Sequence, residues 1–221
     1  MRNARILVLV EVALAVALAA VLNFLQLRLP FNIAGGSISL AMLPIVVVAL
    51  RRGPLAGAVA GTLFGCLDLL LEPFVLVPVQ VFLDYPAPYL LFGLGAGLFS
   101  GLYYRAVEKN ERHLDGAFIA KGSLIVVAAM LVGGILRLAS HVLSGVFFFA
   151  EYAADFFAEN PSFLQAGSVD AGLNVWIYSI VYNLLYIVPS VIGVLICALI
   201  VMPVLAKSVP VKRLAAATVS E

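Results

Sequence analysis

The sequence predicts an all-α integral membrane protein with six transmembrane helices and both termini cytoplasmic, and three observations lead there. First, 64% of the 221 residues are hydrophobic and only 11% are charged, whereas a soluble domain carries roughly 25% charge. Second, the apolar residues fall into long runs separated by short polar segments. Third, Lys and Arg gather in every second segment, as they do when a chain crosses a bilayer repeatedly and keeps its basic residues on the cytoplasmic side. This composition excludes a water-soluble enzyme, and a net charge of +1 gives no electrostatic case for nucleic acid. The whole of residues 1–221 reads as a single membrane domain, because no polar segment is long enough to build a core of its own.

A span needs ~20 apolar residues to cross ~30 Å of hydrocarbon. Six stretches qualify, at 6–27, 38–50, 54–71, 80–103, 122–149 and 172–205. The first begins after Arg2 and Arg5 like a secretory signal, but its apolar run is too long for a signal core and contains Glu11, so it is expected to stay as a helix. The second and third are short and meet at Arg51-Arg52-Gly53-Pro54, a charged turn that must reach water. The second gains length if 31–37 dips into the membrane. Near its outer start the fourth carries Asp84-Tyr85-Pro86-Ala87-Pro88, where two prolines remove backbone donors. The sixth holds Pro189 and Pro203, which are expected to kink or terminate it rather than divide it. Alternating spans place eleven of the thirteen basic residues on one face. Cys66 and Cys197 lie inside apolar runs and read as buried membrane thiols, with no metal or disulfide pattern.

In so apolar a chain, an ionisable residue at membrane depth is a functional candidate by default. Asp84, Arg137 and His141 stand out, with Glu11 and Asp68 as lesser cases that read as solvated near the two surfaces. Arg137 and His141 are four residues apart and share a helix face that continues through Ser144 and Gly145 to Phe148 or Phe149. Tyr178, Tyr182, Asn183 and Tyr186 form a second stripe. At ~1.5 Å rise per residue, both stripes reach the outer half of the membrane, level with Asp84. Asp84 and Arg137 read either as a mutually neutralising pair or as ligand contacts. Tyr182 and Tyr186 read first as interfacial belt residues, whereas an amide such as Asn183 needs partners in lipid. A carboxylate beside aromatic rings suits a hydrogen-bonding heteroaromatic that carries positive charge. The sequence has no Gly-rich Lys-Ser/Thr loop for ATP and no metalloprotease or nucleophile-elbow motif.

These residues resemble a known family, the thiamine-specific substrate-binding (S) component of energy-coupling factor (ECF) transporters. The landmarks occur in the family's order. Leu43-Pro44-Ile45 leads to Leu50-Arg51-Arg52-Gly53 and Ala56-Gly57, and Gln80-Val81-Phe82-Leu83-Asp84-Tyr85 is similar to a Gln-x-Phe-Leu-Glu-Tyr motif. Arg137 with His141 and Gly145 looks like a Lys-x-x-x-His-x-x-x-Gly helix, and Tyr178-Ser179 with Asn183 matches Tyr-Ser-x-x-x-Asn. The resemblance implies a thiamine site lined by Asp84, Tyr85, Arg137, His141, Phe149, Tyr178 and Asn183. It places Phe149 where the family has a stacking Trp, Ser39 where it has a Glu, and Gly35 where it has another Trp. Asp84 is one methylene shorter than the family's Glu, so a related vitamin or a thiamine precursor stays open as the ligand.

The resemblance also implies partners. Ala13 and Ala17 reproduce the Ala-x-x-x-Ala spacing with which such components dock on a transmembrane coupling protein, and small residues four apart let helices approach closely in lipid. Packing inside the bundle would use the same spacing. The implied assembly adds two ATPases that hydrolyse the ATP, so this chain needs no cofactor and is not an enzyme. A self-sufficient secondary transporter is the rival reading, although the internal repeat that such transporters show is not visible.

Overall fold

The structure, a computed structural model, describes residues 2–28, 36–109, 116–159 and 171–206. Gly35, Arg112, Asp170, Lys207, Lys212 and Arg213 lie outside these residues, as do the side chains of Arg2 and Glu159. The described residues form nine helices and one small hairpin, in the order α1 (Arg2–Asn23), β1 (Leu27–Arg28), β2 (Ser37–Ile38), α2 (Met42–Arg52), α3 (Pro54–Leu71), α4 (Pro78–Asp84), α5 (Pro86–Gly97), α6 (Ser100–Lys109), α7 (Gly116–Phe148), α8 (Tyr152–Glu159) and α9 (Ala171–Ala206). The strands pair antiparallel, Leu27 with Ile38 and Arg28 with Ser37.

Proline sets where several helices start. It occupies the first turn of α3, α4 and α5, where its missing N–H would have had no partner and its fixed φ suits the helix. Gly53, at φ 92°, makes the sharp corner between α2 and α3 that a side chain would strain.

Among the described residues, five stretches are long and apolar enough to cross a membrane: 5–23, 54–71, 78–109, 118–148 and 173–206. The expected span at 38–50 falls short, because α2 has 11 residues and reaches only about 16 Å. Ile38, expected to open that span, is instead paired in the hairpin with Leu27. The fourth span is three consecutive helices, broken at Tyr85 and at 98–99. The last stretch is one continuous helix of 36 residues that contains both Pro189 and Pro203, so the prolines neither divide nor end it.

The bundle is held by two kinds of contact. At its centre α3 and α5 approach so closely that a Cβ on Gly61 would lie 2.0 Å from the Tyr89 carbonyl oxygen, and one on Gly57 would lie 2.4 Å from that of Gly93. Without a hydrophobic drive between helices in lipid, such backbone proximity supplies the dispersion contacts. Around it, Met42, Ile45, Phe64, Phe92, Met130 and Val194 are fully buried. At the end bearing the α2–α3 corner, Arg52 donates two 2.6 Å hydrogen bonds to Glu11, and Arg51 adds one at 3.3 Å. Glu11 is therefore the acceptor of a clamp joining α1 to α2, not the solvated residue expected from its place in the sequence. Tyr103 donates to the Met202 carbonyl at 2.7 Å and ties α6 to α9. Cys66 is exposed on the bundle's outer surface and Cys197 is half-buried, so the Cys66 thiol belongs to the surface that meets lipid rather than to the core.

Candidate ligand-binding site

The opposite end of the bundle holds a cavity of about 140 Å³. Its position follows from the helix stripes. Arg137, His141, Gly145 and Phe149 follow one another along α7 and its end, while Tyr178, Ser179, Tyr182, Asn183 and Tyr186 face them from α9. Asp84, Tyr85 and Tyr89 close the wall where α4 breaks into α5, and Asp68 and Glu72 enter from the end of α3. The three sets expected to meet thus share one cavity.

Asp84 does not pair with Arg137. Its Oδ2 accepts a 2.6 Å hydrogen bond from Gln80 Nε2, and its Oδ1 lies 3.6 Å from His141 Nδ1. Gln80 is itself buried and fixed by the loop after α3: its Oε1 accepts from the Leu76 amide and its Nε2 also donates to the Phe74 carbonyl. Arg137 turns to Tyr89, stacking 4.5 Å above its ring and donating to its hydroxyl at 3.3 Å. A guanidinium over an aromatic face is attracted by the ring quadrupole. The Tyr89 hydroxyl in turn donates to Asp68 Oδ2 at 3.2 Å, and Asn23 Nδ2 donates to Asp68 Oδ1 at 2.7 Å. Asp68, expected near the surface, is therefore a cavity residue. Two buried polar groups of the wall have no partner among the described residues: the Arg137 Nε–H, a donor, and His141 Nε2, the acceptor nitrogen of a neutral ring whose Nδ1 faces Asp84; such groups in a cavity invite a ligand.

The remaining side chains set shape. Tyr85 donates to the Glu72 carbonyl at 2.8 Å and accepts from the Phe74 amide at 2.7 Å, bracing the loop after α3. Phe149 stacks on Phe74 with centroids 5.8 Å apart and planes at 26°. Asn183 donates to the Ser179 carbonyl at 2.8 Å and accepts from the Tyr186 hydroxyl at 2.5 Å. Tyr182 and Tyr186 are buried and line the cavity, so the belt reading of these two residues is corrected. Ser39 is not in the wall. It is buried behind it, where its hydroxyl donates to Asn23 Oδ1 at 3.0 Å and accepts from the Ala41 amide. Ala13 and Ala17 lie away from the cavity on the exposed side of α1, beside Leu14 and Leu18.

Helix α8 is the element that reading the sequence missed. Ala153, Phe156 and Phe157 are buried, and Phe156 packs on Tyr178 and Tyr182 at centroid distances of 5.4 and 6.0 Å. The spacing of Tyr152, Ala153, Phe156 and Phe157 is that of one helix face, and it could have been read through the intervening charges.

The sequence profile described as "Thiamine transporter protein" matches residues 9–160. The chain belongs to the thiamine transporter family. Among relatives, it is 34% identical to thiamine transporter ThiT of Bacillus subtilis over 195 residues, which cover 87% of this chain and 86% of that one. It is 30% identical to ThiT of Lacticaseibacillus paracasei over 188 residues, covering 82% and 80%. A solved structure of ThiT from Listeria monocytogenes superposes with a TM-score of 0.68 at 28% identity, covering 93% of this chain and 96% of that one. As a member of the thiamine transporter family, the protein is a multi-pass membrane protein whose relatives are named for transport rather than catalysis.

Proposed function

We propose that this protein is the substrate-binding component of an ECF-type importer: it captures thiamine at the outer face and releases it inside only with a transmembrane coupling protein and two ATPases. One observation carries the ligand assignment. Asp84, held by Gln80 and His141, has no Lys or Arg nitrogen within 4.0 Å among the described residues, and it faces a cavity walled by Tyr and Phe rings. Thiamine offers such a site an aminopyrimidine donor for the carboxylate and two flat rings for the aromatic wall. The names of the relatives support the same ligand.

In this reading α2, although short, completes a sixth span together with the hairpin before it, and both termini are cytoplasmic with the Arg51–Arg52 corner. The cavity then opens to the outside. The exposure of Ala13 and Ala17 supports the docking role over packing within the bundle, since both keep an open, small-residue face in a row of exposed leucines. Labelled-thiamine uptake tests the assembly: cells expressing this chain with the coupling protein and ATPases should accumulate thiamine, and cells expressing it alone should not. Uptake by the chain alone would favour a secondary transporter.

A further inference from the structure

Asp68 is a charged group of the cavity wall to which thiamine recognition by Asp84 gives no role. Its two oxygens are held by Asn23 at 2.7 Å and by the Tyr89 hydroxyl at 3.2 Å. Arg137 reaches it only through that hydroxyl, to which it donates at 3.3 Å. Among the described residues no Lys or Arg nitrogen lies within 4.0 Å of Asp68. Glu72, the third acid of the wall, differs because Arg28 approaches it at 2.5 Å and Gln26 also donates to it.

Among the described residues three carboxylates thus face the cavity, with Arg28 matched to Glu72 and a single further guanidinium, Arg137, left for Asp68 and Asp84. A carboxylate oxygen has two acceptor sites, so one bond to each oxygen of Asp68 leaves acceptor capacity while fixing the side chain's direction. Opposite charges attract more strongly where water is excluded, and a sequestered carboxylate without a cation is costly. Among the described residues, one guanidinium against these two carboxylates leaves an excess of negative charge in the wall that a cationic group of the ligand can offset. The Nε–H of the deeply buried Arg137, on the same wall, has no partner among the described residues; it offers a donor to an acceptor of the same ligand and independently marks this part of the cavity as ligand-facing.

We propose that Asp68 is a second anionic recognition residue, acting on a fixed positive charge of the ligand while Asp84 acts on a hydrogen-bond donor group. The cavity then selects molecules that join a donor-bearing heterocycle to a cationic ring. The inference rests on the thiamine reading and assigns the thiazolium end to Asp68.

The test is calorimetric titration of purified wild type, Asp68→Asn and Asp84→Asn with thiamine and with its isosteric analogue in which a neutral thiophene replaces the thiazolium. Asp68→Asn keeps an oxygen acceptor for Asn23 and turns an NH2 toward the Tyr89 hydroxyl, which can accept from it, while the charge is lost. It should weaken thiamine by about tenfold or more, the scale of a lost charge-assisted contact, and leave the neutral analogue within about threefold. Asp84→Asn should weaken both ligands. The wild type should prefer thiamine to the neutral analogue by about tenfold, a comparison that stands even if a variant does not fold. Parallel losses in Asp68→Asn, unchanged thiamine affinity, or equal wild-type affinity for the two ligands would overturn the role of Asp68 alone. Failure of the wild type to bind thiamine would overturn the ligand assignment and, with it, this inference.

Discussion

Replacing Asp84 by Asn separates a ligand-binding carboxylate from a structural ion pair, because the two roles predict opposite signs for stability. Asp84 receives one hydrogen bond, from Gln80 at 2.6 Å, and its other oxygen is 3.6 Å from His141. Asn retains an oxygen for Gln80 and removes the charge. Breaking a buried Arg–carboxylate pair would cost about 3–5 kcal/mol. Here no Arg pairs with Asp84, so thermal unfolding of the ligand-free protein in detergent should stay the same or rise slightly. Binding should change the other way. A hydrogen bond to a charged group contributes about 1.5–3 kcal/mol against about 0.5–1.5 for a neutral one. The loss of about 1.4 kcal/mol corresponds to tenfold in Kd. Calorimetric Kd and melting temperature, measured on the same preparations, decide the matter. Unchanged affinity with a melting temperature lowered by several degrees would refute the assignment and restore the ion-pair role.

Three further outcomes follow from the packing. Gly61→Ala places a methyl 2.0 Å from the Tyr89 carbonyl, so α3 and α5 must separate; a loss of about 1–3 kcal/mol should appear as a lower melting temperature, and an unchanged one would mean that the helices are not in contact. Phe149→Ala removes the ring stacked on Phe74 and should weaken ligand binding two- to tenfold, from about 0.5–1.5 kcal/mol of aromatic contact; equal affinity would take Phe149 out of the site. Ala13→Trp adds bulk to an exposed face of α1 remote from the cavity, so it should abolish uptake by the assembled transporter and spare thiamine binding; retained uptake would remove this face from the docking surface.

The long apolar helices and the two stripes of the site were legible because four-residue spacing on a helix survives any packing. Arg137, His141, Tyr178 and Asn183 could be placed together from register alone. Asp68 was not legible in the same way. It stands near the end of an apolar run, where an acid usually reaches water, and only the approach of Asn23 and Tyr89 from other helices turns it into the cavity. Ser39 shows the converse: its place in the family pattern pointed to the site, while the close approach of Asn23 and Ala41 draws its hydroxyl behind the wall. The pairing of Asp84 with Gln80 is a four-residue helical contact and could have been read from spacing. Arg137 was harder, because its choice of the Tyr89 face over a carboxylate depends on how far α5 leans toward α7. Helix α8 escaped notice because the acids around it give the segment the composition of a loop, although its buried face follows helical spacing.

The central claim is that the cavity recognises thiamine, and titration of the purified protein by heat release tests it most directly. Trp176, the single tryptophan, is 44% exposed and is not in the cavity wall, so heat is a better readout than its fluorescence. Thiamine should bind at one site per chain with a Kd below about 1 μM, and more tightly than its pyrimidine precursor or riboflavin. No heat with thiamine, or tighter binding of either of the other two, would contradict the account.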